Sequence, residues 1–231
     1  MFNYLRTSIL TVTVLAFIAA AASAAGAEGK ISLGAKTIVP PSPVWVIGSY
    51  DADGKPNMMT ASWVGVCCSD PPCVTVSLRE ATYTFGNIKE SGAYTVNIPS
   101  EELAAVAAFT GRVSGRDRDK FAATGLTPVK SELVNAPLVS EFPLTVECKV
   151  IKTIELGLHT MFIGEIMDVK ADSSILGGKK TPDPSKLNSF IYSVGGWGFY
   201  RVGEHIGSVE KLADEIEERE ARLAPGHPEL Q

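Results

Sequence analysis

The sequence predicts a mainly β protein: a closed antiparallel barrel with helices inserted between its strands. Short β-rich segments bounded by Gly, Pro, Asn and Asp recur along the chain and outnumber helical patterns. Strands and helices do not alternate strictly, which disfavours a doubly wound parallel sheet. Two long β-rich segments, 144–155 and 159–171, meet at Leu156-Gly157, as neighbours in an antiparallel barrel do. At 231 residues one domain is expected, with two small ones as the alternative. The chain is long enough to bury a core without disulfide or metal staples.

In chain order, residues 31–39 read as a first strand or a turn of helix, ended by Pro40-Pro41. Residues 44–50 are β-rich. Asp51-Ala52-Asp53-Gly54 is a turn signal, and residues 56–67 return as one strand until Asp70-Pro71-Pro72 breaks it. Residues 73–78 form a third strand by β preference. Residues 81–91 read as a short helix capped by Thr82 or Thr84 and ended by Gly92. Residues 93–98 form another strand, stopped by Pro99. Ser100 with Glu101 and Glu102 signals a second helix start. Residues 111–120 are a charged loop and 173–186 a polar one. Residues 190–202 are aromatic-rich and interrupted by Gly195-Gly196. Residues 208–223 place Val209, Leu212, Ile216 and Leu223 near one helical face, which reads either as a surface helix packed on the barrel or as a dimer-contacting arm.

The two ends differ from the middle. Arg6 precedes an uncharged run over residues 9–22, and Ala22-Ser23-Ala24 fits a small-residue cleavage site. This is the pattern of a secretory signal, so residues 1–24 are expected to be removed and the mature chain to be exported, to the periplasm. The run is shorter than the roughly 20 residues that span a bilayer, and no stable membrane insertion is expected after cleavage. The domain then covers 25–207, with 208–231 as a helical extension.

Composition narrows the chemistry. A formal net charge of −5 lacks the general basic face of a nucleic-acid binder but leaves room for one basic pocket. With only His159, His205 and His227, a multi-histidine metal site has little material, and none is expected. No G-x-S-x-G elbow, Walker phosphate loop or strand-led G-x-G-x-x-G is present. Cys67, Cys68, Cys73 and Cys148 lack the paired spacing of a zinc site. Cys67 and Cys68, adjacent on a strand, point to opposite faces; buried free thiols are expected.

Four stretches carry candidate site residues. The strand containing Thr60, Ala61, Ser62 and Trp63 mixes small hydroxyl and apolar residues, so its backbone can approach a flat ring; it equally fits an ordinary half-buried strand. In Ser77-Leu78-Arg79-Glu80-Ala81-Thr82-Tyr83-Thr84 a strand ends in an arginine fork beside a helix N-terminus, a combination that holds phosphate as readily as it caps a helix. Residues 112–121 alternate charges as a solvated loop does, with Lys120 as the cation that reaches a phosphate or a carbonyl edge. His159 stands at a strand mouth beside a glycine break, where it is either structural or positioned for chemistry.

At these residues the chain resembles the flavin reductase-like, FMN-binding split-barrel family. The resemblance runs through residues 32–38, 53–63, Cys67-Cys68-Ser69-Asp70-Pro71-Pro72-Cys73, Val76-Ser77-Leu78-Arg79, Thr82-Tyr83-Thr84, Asn87-Ile88, residues 96–99, 119–128 and 156–165. The order and spacing of the motifs carry it. It implies a six-stranded antiparallel Greek-key split barrel with peripheral helices, a homodimer, and FMN near the subunit interface. By position, Thr60, Ala61, Ser62 and Trp63 would line the flavin ring. Ser77, Leu78, Arg79, Thr82, Thr84 and Lys120 would surround the phosphate, and His159 would position the electron donor. The implied function is transfer of electrons or hydride from NAD(P)H or a redox protein through FMN; a non-catalytic flavin carrier is the alternative.

Overall fold

The computed structural model describes residues 29–223. The expected signal segment, residues 1–24, lies outside them. The chain divides at Ile38 and Val39 into two units. Of the first, residues 29–38 carry no helix or strand, so neither the strand nor the turn of helix expected over 31–39 forms.

The second unit opens with β1 (Ser42–Pro43) and β2 (Trp45–Tyr50), and turns at Gly54 into β3 (Pro56–Ala61). Here the structure departs from the single strand expected over 56–67. The chain breaks at Ser62-Trp63 and resumes as β4 (Val64–Ser69), which returns as β5 (Pro72–Leu78). Helix α1 (Tyr83–Ser91) follows. Thr82 is its cap, accepting from the Phe85 N–H at 3.3 Å, and Gly92 ends it in the left-handed region at φ 65°. After β6 (Ala93–Ile98), Ser100 makes no capping bond. A single tight turn over Glu101–Leu103 leads instead into α2 (Ala104–Arg112). Asp119 caps the short α3 (Lys120–Thr124) by accepting from the Ala122 N–H at 3.0 Å.

Next come β7 (Pro128–Lys130), β8 (Pro137–Val139), and the long pair β9 (Leu144–Leu156) and β10 (His159–Ala171). The segment expected as a polar loop over 173–186 holds α4 (Pro184–Leu187), anchored by buried Ile175 and Leu187. The aromatic-rich stretch is the hairpin of β11 (Phe190–Ser193) and β12 (Gly198–Arg201). Last is α5 (Val209–Leu223).

Seven strands form one antiparallel sheet in the order β3-β2-β6-β9-β10-β5-β4. Its two outermost strands, β3 and β4, are consecutive in the chain and separated by two residues. In a flat sheet their edges would stand about 29 Å apart, six gaps of about 4.8 Å. The Cα steps across Ser62-Trp63 reach about 11 Å. The sheet must therefore curl until its edges meet, giving the expected split barrel. It has seven strands rather than six because the seam divides one expected strand into two.

Alternation on the curled strands sends Ile47, Val74, Val76, Leu78, Tyr94, Val96, Val146 and Phe162 inward, and Phe85 and Ile88 of α1 plug one end. A second cluster lies on the other face of β2 and β3, where Val44, Val46 and Met58 meet Ala107, Phe121, Val139 and Phe190. Each fully buried side chain of this kind contributes about 1.5–3 kcal/mol. β2 is thus buried on both faces, which fixes α2 against β3.

The cysteines depart from expectation. Cys73 and Cys148 are buried, but Cys67 and Cys68 are exposed, and all four are free. The ladder shifts register between Val66 and Cys68, so one extra residue bulges from β4 and both Cys67 and Cys68 stand opposite Cys73.

The apolar face expected on the C-terminal helix is real, but Val209, Leu212 and Ile216 are exposed rather than packed on the barrel. No helix among the described residues is long and apolar enough to cross a membrane.

Candidate cofactor cleft at the barrel seam

A cleft of about 420 Å³ opens where β3 and β4 part. This volume falls within the roughly 300–1,000 Å³ usual for small-molecule sites. Met59, Thr60, Ala61, Ser62 and Trp63 form one wall, Ser77, Leu78, Arg79 and Thr82 another, and His159, Gly111, Tyr192, Val194 and Trp197 complete it. An adjoining space of about 380 Å³ shares Thr60, Ser62, Gly111, Tyr192 and Trp197 and adds Arg112.

Each wall is placed by its own local chemistry. The Thr60 side chain turns away from the barrel interior to α2, donating to the Ala107 carbonyl at 2.7 Å, and its hydroxyl meets that of Thr110 at 2.8 Å. That leaves the backbone and small side chains of Thr60, Ala61 and Ser62 as a thin, flat wall. Across the seam, the Ser77 N–H donates to the Trp63 carbonyl at 2.9 Å, tying the start of β4 to β5.

Arg79 ends β5, and its carbonyl accepts from both the N–H and the hydroxyl of Thr82, each at 2.9 Å. This turn sets the exposed Arg79 beside the N-terminus of α1, where unpaired amides and the helix dipole favour an anion. Arg79 is the one charged side chain lining the larger space, so no lining carboxylate opposes a bound anion there.

His159 is half-buried at the first position of β10, paired with Leu156 across a two-residue turn. Gly157 opens that turn at φ 60°, as a type II′ hairpin requires. This tight return puts the imidazole at the cleft edge.

The cleft brings together Thr60, Ala61, Ser62, Trp63, Ser77, Leu78, Arg79, Thr82 and His159. Thr84 and Lys120 are not on its walls. Thr84 is buried and accepts from Asn57 Nδ2 at 2.9 Å, a bond that joins α1 to β3 behind the cleft. Lys120 is 3% exposed and donates to the Thr110 carbonyl at 2.8 Å, with its ammonium inside the fold. Burial lowers the Lys120 pKa to about 8.

Sequence reasoning did not assign Gly111, Tyr192, Val194 and Trp197 to the site. The aromatic-rich stretch was visible in the sequence, but its return over the cleft depends on β11 pairing with β1, a contact spanning much of the chain. Trp197 is 85% exposed and holds a positive φ of 51°, uncommon for a bulky residue. Arg116 also went unassigned. It donates to the Ala81 carbonyl at 2.8 Å, and its guanidinium lies 5.4 Å from the centre of the Tyr83 ring. Tyr83 in turn donates to Asp51 at 2.6 Å; that bond pushes the phenol up to about 12 and holds the Asp51 carboxyl below its usual range. Arg116, Tyr83 and Asp51 thereby clamp the entrance to α1.

The fold recurs in known proteins. The chain is similar to the flavoredoxin of Desulfovibrio vulgaris (Miyazaki F), with 48% identity, a TM-score of 0.75, and coverage of 78% of this chain and 97% of that one. The flavoredoxin of Methanosarcina acetivorans matches with 26% identity and a TM-score of 0.73, over 83% of this chain and all of that one. A ferric-chelate reductase (NAD(P)H) of Archaeoglobus fulgidus is 30% identical over 133 residues, which are 56% of this chain and 78% of that protein. The family model described as flavin reductase like domain matches residues 40–182, a span that includes both walls flanking the seam and His159. The chain therefore belongs to the flavin reductase like domain family, as a split-barrel member.

Proposed function

We propose that this protein is an FMN-dependent oxidoreductase of the flavin reductase and flavoredoxin type. Electrons or hydride would come from NAD(P)H or a redox protein and leave to a second acceptor. The observation that carries this reading is the composition of one cleft: a thin wall at Thr60–Ala61–Ser62, aromatic faces at Trp63, Tyr192 and Trp197, and Arg79 as the charged group on its lining. A flat apolar ring bearing a phosphate tail fits that donor set, and an adenine dinucleotide signature is absent from the sequence.

The chemistry FMN supplies when bound is reversible transfer of hydride or electrons. The protein binds and orients. Arg79 would hold the phosphate, with Ser77 and the first amides of α1 as further donors. Backbone groups from Thr60 to Trp63 would meet the polar edge of the ring. His159 stands at the edge where a donor docks and positions it. Thr84 and Lys120 act from behind: Thr84 fixes α1 to β3 through Asn57, and Lys120 holds the end of α2 through Thr110.

The reading extends to compartment and assembly. Residues 1–24 would be a signal removed near Ala25, leaving an exported, periplasmic protein. The chain would act as a homodimer, a reading supported by the exposed Val209, Leu212 and Ile216. Mass spectrometry of protein recovered from its host tests the cleavage; an intact N-terminus in the soluble cytosolic fraction contradicts it.

The experiment for function is anaerobic titration of the purified protein with NADH and NADPH, followed at the flavin absorbance bands. Bleaching of bound FMN supports the oxidoreductase. Bound FMN that neither pyridine nucleotide nor a reduced redox protein bleaches would mark a carrier. A protein that binds no flavin would end the proposal.

A further inference from the structure

We propose that Cys68 and Cys73 form a dithiol pair that closes to an intrachain disulfide, stapling the β4–β5 hairpin beside the cleft.

The two residues are register partners across the hairpin, next to its closing pair Ser69 and Pro72. Facing residues on antiparallel strands have Cα atoms about 4.5–5.5 Å apart, inside the about 4.4–6.8 Å window of disulfides. Both sulfurs also point to the same turn. The Cys68 thiol donates to the Asp70 carbonyl and the Cys73 thiol to the Pro71 carbonyl, each at 3.3 Å.

Two other cysteines compete, and the geometry ranks them lower. Cys67 is brought near by the bulge, but it is the unpaired extra residue of the ladder rather than the register partner. Cys148 is on β9, which pairs with β6 and β10 and not with β4, so it is no register partner of Cys68.

The pair also divides the labour that disulfide formation requires. Cys68 is exposed and Cys73 is 2% exposed. The oxidant is a small-molecule or protein disulfide. The Cys68 sulfur, as thiolate, attacks one sulfur of that disulfide; its S–S bond breaks and one thiol leaves. The Cys73 sulfur then attacks Cys68, forming the internal S–S bond and expelling the second thiol. Two protons and two electrons pass from the pair to the oxidant, which ends as two thiols. Burial, with Cys68 and Cys67 adding to it, raises the pKa of Cys73, so Cys73 is the poorer first nucleophile and exposed Cys68 takes that step.

β4 is an edge strand, paired on one side only, and it leaves the seam directly after Trp63. A staple at its far end holds this strand whether or not flavin is bound, so the inference stands apart from the functional reading.

The test uses the full chain incubated with excess oxidised glutathione, denatured in alkylating agent and mapped by peptide mass spectrometry, with dithiothreitol-treated protein as reference. The expected result is loss of two of the four thiols, a Cys68–Cys73 cross-linked peptide, and alkylated Cys67 and Cys148. The exposed-site variant Cys67→Ser should give the same cross-link. Four free thiols, glutathione retained on Cys68, a link through Cys67, loss of the link in Cys67→Ser, or a disulfide between two chains would each overturn the proposal.

Discussion

The hydroxyls of Thr60 and Thr110 lie 2.8 Å apart, joining the cleft wall on β3 to the last turn of α2. The same Thr110 receives the buried Lys120 ammonium on its carbonyl. A chain of polar contacts thus runs from an interior cation to the wall proposed to meet the ring. It explains why a lysine in a charged loop points inward: the last carbonyls of a helix lack intrahelical partners, and Lys120 satisfies one of them.

That burial has a pH signature. In the unfolded chain Lys120 keeps its proton up to about pH 10.4. In the folded chain it loses it near pH 8. Between these values the unfolded state binds more protons, so stability rises with pH, by up to about 1.4 kcal/mol per pH unit. Below about pH 8 the desolvation cost is present in full. Relative to Lys120→Met, the parent protein should therefore gain stability from pH 8 to 10. Urea denaturation of both proteins across that range checks this, and parallel curves would contradict it.

Thr60→Val keeps the volume and removes the hydroxyl that reaches α2. Loss of these hydrogen bonds should cost about 0.5–1.5 kcal/mol in chemical denaturation, because the Thr110 hydroxyl keeps the Val106 carbonyl as a partner at 3.0 Å. FMN affinity should fall as well, since the end of α2 supplies Gly111 to the cleft. A variant with unchanged stability would show that the α2 contact is incidental.

His159→Asn should retain FMN and melting temperature while slowing reduction of the bound flavin. A tenfold loss corresponds to about 1.4 kcal/mol in the transition state. Stopped-flow mixing with NADH or NADPH under anaerobic conditions measures it. An unchanged rate in a stable, FMN-loaded variant would remove His159 from the mechanism. If flavin and stability fall together, the imidazole is a structural group of the β9–β10 turn.

Much of this architecture is written locally. The Gly92 stop, the Thr82 cap, the long β9 and β10 and the β11–β12 hairpin follow from turn residues and β preference. The split at Ser62-Trp63 does not. Ser62-Trp63 carries no Gly or Pro turn signal, and the break arises because β3 must join β2 while β4 joins β5, a demand of barrel closure. The direction of Lys120 was illegible for a related reason: its acceptor, the Thr110 carbonyl, belongs to another helix. Likewise adjacent cysteines on a regular strand face apart, and only the bulge sets both Cys67 and Cys68 against Cys73. The motif that ends β5 and starts α1 was the most readable part of the site, because Arg79, Thr82 and the helix amides are contiguous in sequence.

The most direct measurement compares FMN with riboflavin, which lacks only the phosphate, on the parent protein and on Arg79→Ala. A charge-assisted hydrogen bond contributes about 1.5–3 kcal/mol. FMN affinity should therefore fall roughly 10- to 150-fold in the variant. Riboflavin should bind the parent weakly and respond little to the change. Equal losses for both ligands, or none for FMN, would contradict a phosphate site at Arg79 and with it the assignment of this cleft to FMN.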